Sequence, residues 1–175
     1  HAEGSLTRAY GDNSHVEGIG TQTGDFIVGT QITDGQSPYS GSGVGAHAEG
    51  FYTNARGFYS HTEGSGSRTY GTASHAEGEK SNAGGNYSHA EGYLTQTTGS
   101  HSHAEGSETR TIGNYSHAEG RETLSYGVYS HAEGFQTTAS VGYTHAEGNQ
   151  TKANGLFSHT EGTNTTTTGI YSHAE

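Results

Sequence analysis

A histidine returns every fourteen residues. The repeat histidines are His1, His15, His47, His61, His75, His89, His103, His117, His131, His145, His159 and His173. Ten of the eleven steps are 14 residues; the step from His15 to His47 is 32, two periods plus four. A fixed period of this kind marks a stacked repeat, in which each unit is stabilised by its neighbours rather than by a core of its own.

With the histidine as position one, the other columns fall into place. Position two is Ala, except for Val16, Thr62 and Thr160. Position three is Glu and position four Gly, as in Glu91 and Gly92. Position seven is Thr or Ser, position nine is Ala, Thr or Ser, and position eleven is mostly Gly. Position thirteen is often aromatic and position fourteen mostly Ser. Two short tracts of spacing two result: Ser88, Ala90, Gly92 and then Thr95, Thr97, Gly99. Alternation puts each small triplet on one face of a strand. Tyr87, His89 and Glu91 are then expected on the opposite face. A helix is excluded, because glycine at this frequency would cost about 1 kcal/mol per residue.

The chain has 175 residues, 30 of them Gly, with no Cys, Met or Trp. Its Leu, Ile, Val and Phe together number 19, too few for an ordinary apolar core. A fold must therefore rest on small side chains and backbone hydrogen bonds. These facts predict an all-β parallel solenoid of 14-residue coils. Each coil is a flattened ring of two short strands and two tight turns, with Gly supplying turn dihedrals and close approach. Residues 1–175 form a single repeat domain, with regular coils over 1–17 and 47–175 and irregular or inserted coils over 18–46.

The net charge is −11 with His neutral, which excludes nucleic acid as a partner. No apolar run is long enough to span a membrane. Without Cys there are neither disulfides nor thiolate chemistry. A thin roll buries little apolar area, so one lateral face should pack against something. The Tyr/His/Glu face is the constant outward face. Position eight, by contrast, varies freely, as Arg68, Asn82, Gln96 and Arg110 show.

The phrases YSHAEG at 87–92, 115–120 and 129–134, with TNARG at 53–57 and TTASVG at 137–142, resemble a known repeat. The chain resembles the YadA-type head repeat of trimeric autotransporter adhesins. It resembles still more the SHAEG-rich form of that repeat in phage tail fibres and prophage structural proteins. The resemblance covers nearly the whole chain, apart from about 18–46. It implies a left-handed parallel β-roll that associates as a homotrimer. The family's Asn-Ser-Val-Ala-Ile-Gly aligns with Tyr87-Ser88-His89-Ala90-Glu91-Gly92, so its two axis-facing apolar positions are here ionisable. The resemblance therefore implies a trimer-interface ladder of His61, Glu63, His75, Glu77, His89, Glu91, His103, Glu105, His117, Glu119, His131, Glu133, His145, Glu147, His159 and Glu161. Within it the carboxylates are expected to accept hydrogen bonds from imidazoles of the same or a neighbouring chain. Protonating all twelve repeat histidines would move the charge from −11 to +1, so acid is expected to act on assembly.

Identical rungs argue against catalysis, since no glutamate or histidine is singled out. Ser88, His89 and Glu91 cannot form a triad, because strand neighbours face opposite sides. No enzyme activity and no cofactor are expected. No metal is assigned either; His89, His103 and His117 are the candidates if three chains bring histidines together. Threonine pairs such as Thr95 and Thr97 share columns with Ala and Ser and read as interior rather than as an ice-binding face. His101 occupies the aromatic column and is expected to stack there. The segment TDGQSPYS at 33–40 is a candidate recognition loop through Asp34, Pro38 and Tyr39.

The expected function is a structural stalk segment of a phage tail fibre or similar extracellular fibre, located on a virion or a bacterial surface. A host-surface glycan or protein is a further possible partner. Two alternatives stand beside it: the head of a trimeric autotransporter adhesin that binds host matrix, and a metal- or pH-responsive filament segment acting through the His/Glu ladder.

Overall fold

The computed structural model describes residues 1–24 and 43–175. Among these, every strand is parallel to its neighbours, and the strands form two sheets, one of twelve and one of eleven. The larger sheet holds positions one to five, as in His89–Tyr93. The smaller holds positions eight and nine, as in Gln96–Thr97. Strands from the two sheets alternate along the chain, so each period contributes one to each sheet. The 14-residue parallel solenoid is thus the architecture. Pairing is in register: His89 lies opposite His103, Ala90 opposite Ala104, and Glu91 opposite Glu105.

The interior is as small as the composition requires. Its buried apolar side chains among the described residues are alanines and Val16, and its buried polar ones are Ser and Thr, with Asn54 at the margin; position-eleven glycines such as Gly85 and Gly99 are buried with them. The expected inward columns hold: Ser88, Ala90, Thr95 and Thr97 are all buried. Hydroxyls here need partners, and the roll supplies them locally. Ser88 Oγ donates to the Gly85 carbonyl at 2.6 Å. It also accepts from Thr97 Oγ1 at 3.0 Å, tying the two sheets together inside one coil.

Glycine supplies the close approach expected of it, but few of the turn dihedrals. The two turns place positions six and thirteen in the left-handed region, and these residues are mostly not glycine: φ is 54° at Leu94 and 56° at Tyr87. Positions four and eleven need glycine because consecutive coils touch there. A Cβ on Gly92 would stand 2.0 Å from the carbonyl oxygen of Gly106, and one on Gly99 would stand 2.0 Å from that of Gly113. A parallel spacing of about 4.8 Å leaves no room for a side chain directed along the stack.

Exceptions in the sequence map onto the strands. The rungs with Thr at position two have short strands in the larger sheet, His61–Thr62 and His159–Thr160. Thr62 Oγ1 lies 2.8 Å from Thr69 Oγ1, and Thr160 Oγ1 lies 2.7 Å from Thr167 Oγ1. Val16 has similar bulk without a hydroxyl, and its strand His15–Ile19 is full length. The position-two hydroxyl and its bond across the interior accompany the short strands, whereas bulk alone, as in Val16, does not.

The long step closes as one coil. His15 pairs with His47 and Gln22 with Asn54. Gly24 donates to the Ala55 carbonyl at 2.8 Å and Gly43 to that of Arg56 at 2.6 Å, so Gly24 and Gly43 occupy positions ten and eleven of a single rung. The surplus is therefore one stretch of eighteen residues, 25–42, rather than four beyond two full periods. Asp34, Pro38 and Tyr39 lie in that stretch, outside the described residues.

Candidate functional site

In-register pairing turns one repeated residue into a continuous column. The repeat histidines form a stack on the outer face of the larger sheet. Ring centroids are 4.7 Å apart for His75 and His89, with planes 2° apart. The corresponding values are 4.8 Å and 5° for His89 and His103, and 4.9 Å and 22° for His103 and His117. His61, His131, His145 and His159 continue the same stack. The glutamates two residues on form a parallel column beside it, with Glu77, Glu91, Glu105, Glu119, Glu133 and Glu147 opposite one another in sequence. Glu63 and Glu161 occupy position three of the two short-strand rungs.

The aromatic column is separate from this ladder. Tyr87 sits in the turn, not on the strand, because its left-handed φ ends the alternation before His89. Tyr87, His101, Tyr115, Tyr129, Tyr143, Phe157 and Tyr171 stack edge-out along the roll. His101 takes the aromatic place expected of it, 4.9 Å from Tyr87 and 4.8 Å from Tyr115. An open groove of about 460 Å³ runs between the two columns, bordered by Tyr129, Tyr143 and Phe157 on one side and His131, His145 and His159 on the other.

Of the hydrogen bonds expected from His to Glu in the same or a neighbouring chain, those inside the chain are not formed in the body of the ladder. Nε2 of His61 is 3.6 Å from Glu63 Oε2, and the same separation is 3.9 Å for His89 and Glu91 and for His117 and Glu119. These separations lie beyond the 3.2 Å limit of a good N–H···O bond. Only His1 and Glu3, at the exposed first rung, reach 2.6 Å. Stacking accounts for the gap: each ring lies against the rings above and below rather than turned toward its own carboxylate. As a result, Nε2 of His15, His47, His61, His75, His89, His103, His117, His131, His145 and His159 is shielded from solvent without a hydrogen-bond partner in the chain. A shielded unsatisfied polar group costs about 1–3 kcal/mol, so the face is primed for a ligand or a partner surface.

Burial disfavours the charged imidazole. It holds His47, His75, His103, His117 and His145 below the ordinary value of 6.5. The second cause is charge on a stacked neighbour, His89 for His75 and for His103, and His131 for His117 and for His145. The adjacent glutamates oppose both effects without reversing them. In these five rings burial therefore favours the neutral form, which is the form that ligates metal.

Neighbouring rungs combine into ligand sets. His47, Glu49 and His61 place their donor atoms within 4.8 Å of one another, and so do His61, Glu63 and His75. The pattern repeats for His75, Glu77 and His89, for His89, Glu91 and His103, and for His131, Glu133 and His145. Two imidazoles and a carboxylate form a borderline-soft donor set suited to zinc and other first-row divalent ions. Sequence reasoning looked for histidines meeting across three chains and missed these sets within one chain. The signal was present: in a parallel in-register stack, residues fourteen apart lie one strand spacing apart. Ser88 turns inward to Gly85, away from His89 and Glu91 on the outer face.

No family model matches this chain, and no curated protein matches it.

Proposed function

We propose that this chain is a stiff segment of an extracellular fibre whose His/Glu ladder binds divalent transition-metal ions and releases them in acid. The observation that carries this reading is the run of overlapping His–Glu–His sets along one face of the roll. The parallel solenoid supplies the rod. The stacked imidazoles supply the nitrogen ligands, and burial disfavours the charged form of His47, His75, His103, His117 and His145. A carboxylate in each set offsets the charge of the incoming cation.

The test is equilibrium dialysis of chelator-treated protein against Co²⁺ at pH 7.5 and again at pH 5.5. Saturable retention at the higher pH, mostly lost at the lower, is expected. Absence of retention at pH 7.5 overturns the metal reading.

A second reading is favoured by the exposed aromatic column beside the ladder, where Tyr87 is 58% and Tyr115 51% accessible in the single chain. On this reading the face is the seam of a homotrimer, wound left-handed, as the resemblance to tail-fibre and adhesin head repeats implies. The rod then belongs to a virion or bacterial surface and holds host-binding elements at a distance, with glycan or protein contacts on its variable outer positions. Light scattering with chelator present separates the two readings. A mass three times 18.2 kDa supports the seam, and 18.2 kDa refutes it.

A further inference from the structure

The ligand sets are not independent of one another. His61 closes the set with His47 and Glu49 and opens the set with Glu63 and His75. His75 and His89 stand in the same double position. A neutral imidazole offers one ring nitrogen with a free lone pair, because the other carries the proton. Two neighbouring sets therefore compete for one donor.

The stack adds a second constraint. Zinc-type ions take imidazole nitrogen at about 2.0–2.1 Å, so two nitrogens on one ion stand at most about 4.2 Å apart, and about 3.4 Å apart in a tetrahedral site. The rings of His61, His75 and His89 are nearly parallel with centroids 4.7 Å apart. The strands beneath them cannot approach, since Gly64 and Gly78 already meet along the stack: a Cβ on Gly64 would stand 2.1 Å from the Gly78 carbonyl oxygen. Only the rings can move. Two rings that tip together onto an ion tip away from their outer neighbours, and both flanking gaps widen.

We infer that the ladder fills at alternate gaps, each bound ion excluding ions from the gap on either side. This rests on the metal reading above. Its consequence is a lattice with neighbour exclusion, in which every ion consumes two rungs. The overlap gives the ladder its own limit on loading: twelve rung histidines hold at most six ions per chain.

Two measurements test it. The first is Co²⁺ stoichiometry by equilibrium dialysis on the parent chain and on His75→Ala, with folding checked by circular dichroism. His75→Ala abolishes two sets at once, those with Glu63 and with Glu77. Alternate filling lets those two sets hold only one ion between them, so the variant loses at most one ion. Loss of two ions would mean that both were filled together and would overturn the inference. His61→Ala carries the same expectation if His75→Ala does not fold. The second measurement needs no variant: electron paramagnetic resonance of the Cu²⁺-saturated parent chain. Alternate filling sets the shortest copper–copper separation at two strand spacings, about 9.6 Å. Strong coupling at a single spacing of about 4.8 Å would overturn it. Failure of the parent chain to bind Co²⁺ or Cu²⁺ would remove the metal reading and this inference together. Binding with two ions lost would remove the inference alone.

Discussion

The imidazoles of His75 and His89 lie with their planes 2° apart and their centroids 4.7 Å apart, while Nε2 of His89 stands 3.9 Å from its own glutamate, Glu91. The ladder is thus organised along the rod first and across it second. Stacking between rungs wins over pairing within a rung, because backbone pairing sets the spacing between rungs and a ring can only adapt to it.

Acid should destabilise the roll. His47, His75, His103, His117 and His145 bind protons less readily in the fold than at their ordinary value of 6.5. The unfolded chain therefore takes up more protons as pH falls, and linkage favours unfolding. The stability from these groups is fully present above pH 6.5 and is lost below it, levelling off under the folded values. Thermal unfolding with chelator present should show a lower midpoint at pH 5 than at pH 7.5. The dependence should be shallower in a His75→Gln/His103→Gln double variant. A midpoint that held steady or rose toward pH 5 would contradict this.

Gly106→Ala should be among the most damaging single substitutions. A Cβ there would lie 2.0 Å from the Gly120 carbonyl oxygen, and φ is 112°. Neither coil can yield without breaking the ladder, so a loss of about 3 kcal/mol or more is expected. Gly142→Ala is the control, since its nearest neighbour would be the Val128 oxygen at 3.3 Å. It should cost under about 1 kcal/mol. Urea titration of both variants checks the contrast, and equal effects would refute the close-approach argument.

Glu108→Gly should be neutral or stabilising, against the usual rule for glycine in a repeat. Glu108 is exposed and holds φ at 58°, as position six requires. The left-handed conformation costs a non-glycine residue about 1–2 kcal/mol, while glycine costs about 0.5–1 kcal/mol in chain entropy. Gly20 and Gly66 already occupy this column. A gain of about 0.5 kcal/mol is expected by calorimetry. A clear loss would show that side-chain contacts along this edge matter more than the turn.

Ser88→Ala should cost about 1–2 kcal/mol. It removes the bond to the Gly85 carbonyl and leaves buried Thr97 Oγ1 without that acceptor. Chemical denaturation measures it. An effect indistinguishable from zero would mean that the interior hydroxyl network contributes packing alone.

Much of this was legible in the sequence. The period showed the coil, and spacing-two columns showed which small residues turn inward, because a parallel stack repeats one environment at every rung. Ala90, Thr95 and Thr97 are buried as their columns predict. The aromatic place of His101 followed from phase alone. Other features depended on dihedrals and ring orientation, which no residue count reports. Tyr87 was expected beside His89 and Glu91 on one strand face, but its left-handed φ puts it in the turn and in a column of its own.

By itself, then, the sequence determined a parallel β-solenoid of 14-residue coils with an ionisable face, because periodicity and side-chain size leave one way to stack these units. Tertiary structure alone decided that one coil closes through Gly24 and Gly43, and that histidine answers histidine rather than glutamate. The physical reason is the spacing between coils. Main-chain hydrogen bonds bring rings from neighbouring rungs into contact, and that contact holds each imidazole beyond hydrogen-bond reach of the carboxylate two residues away.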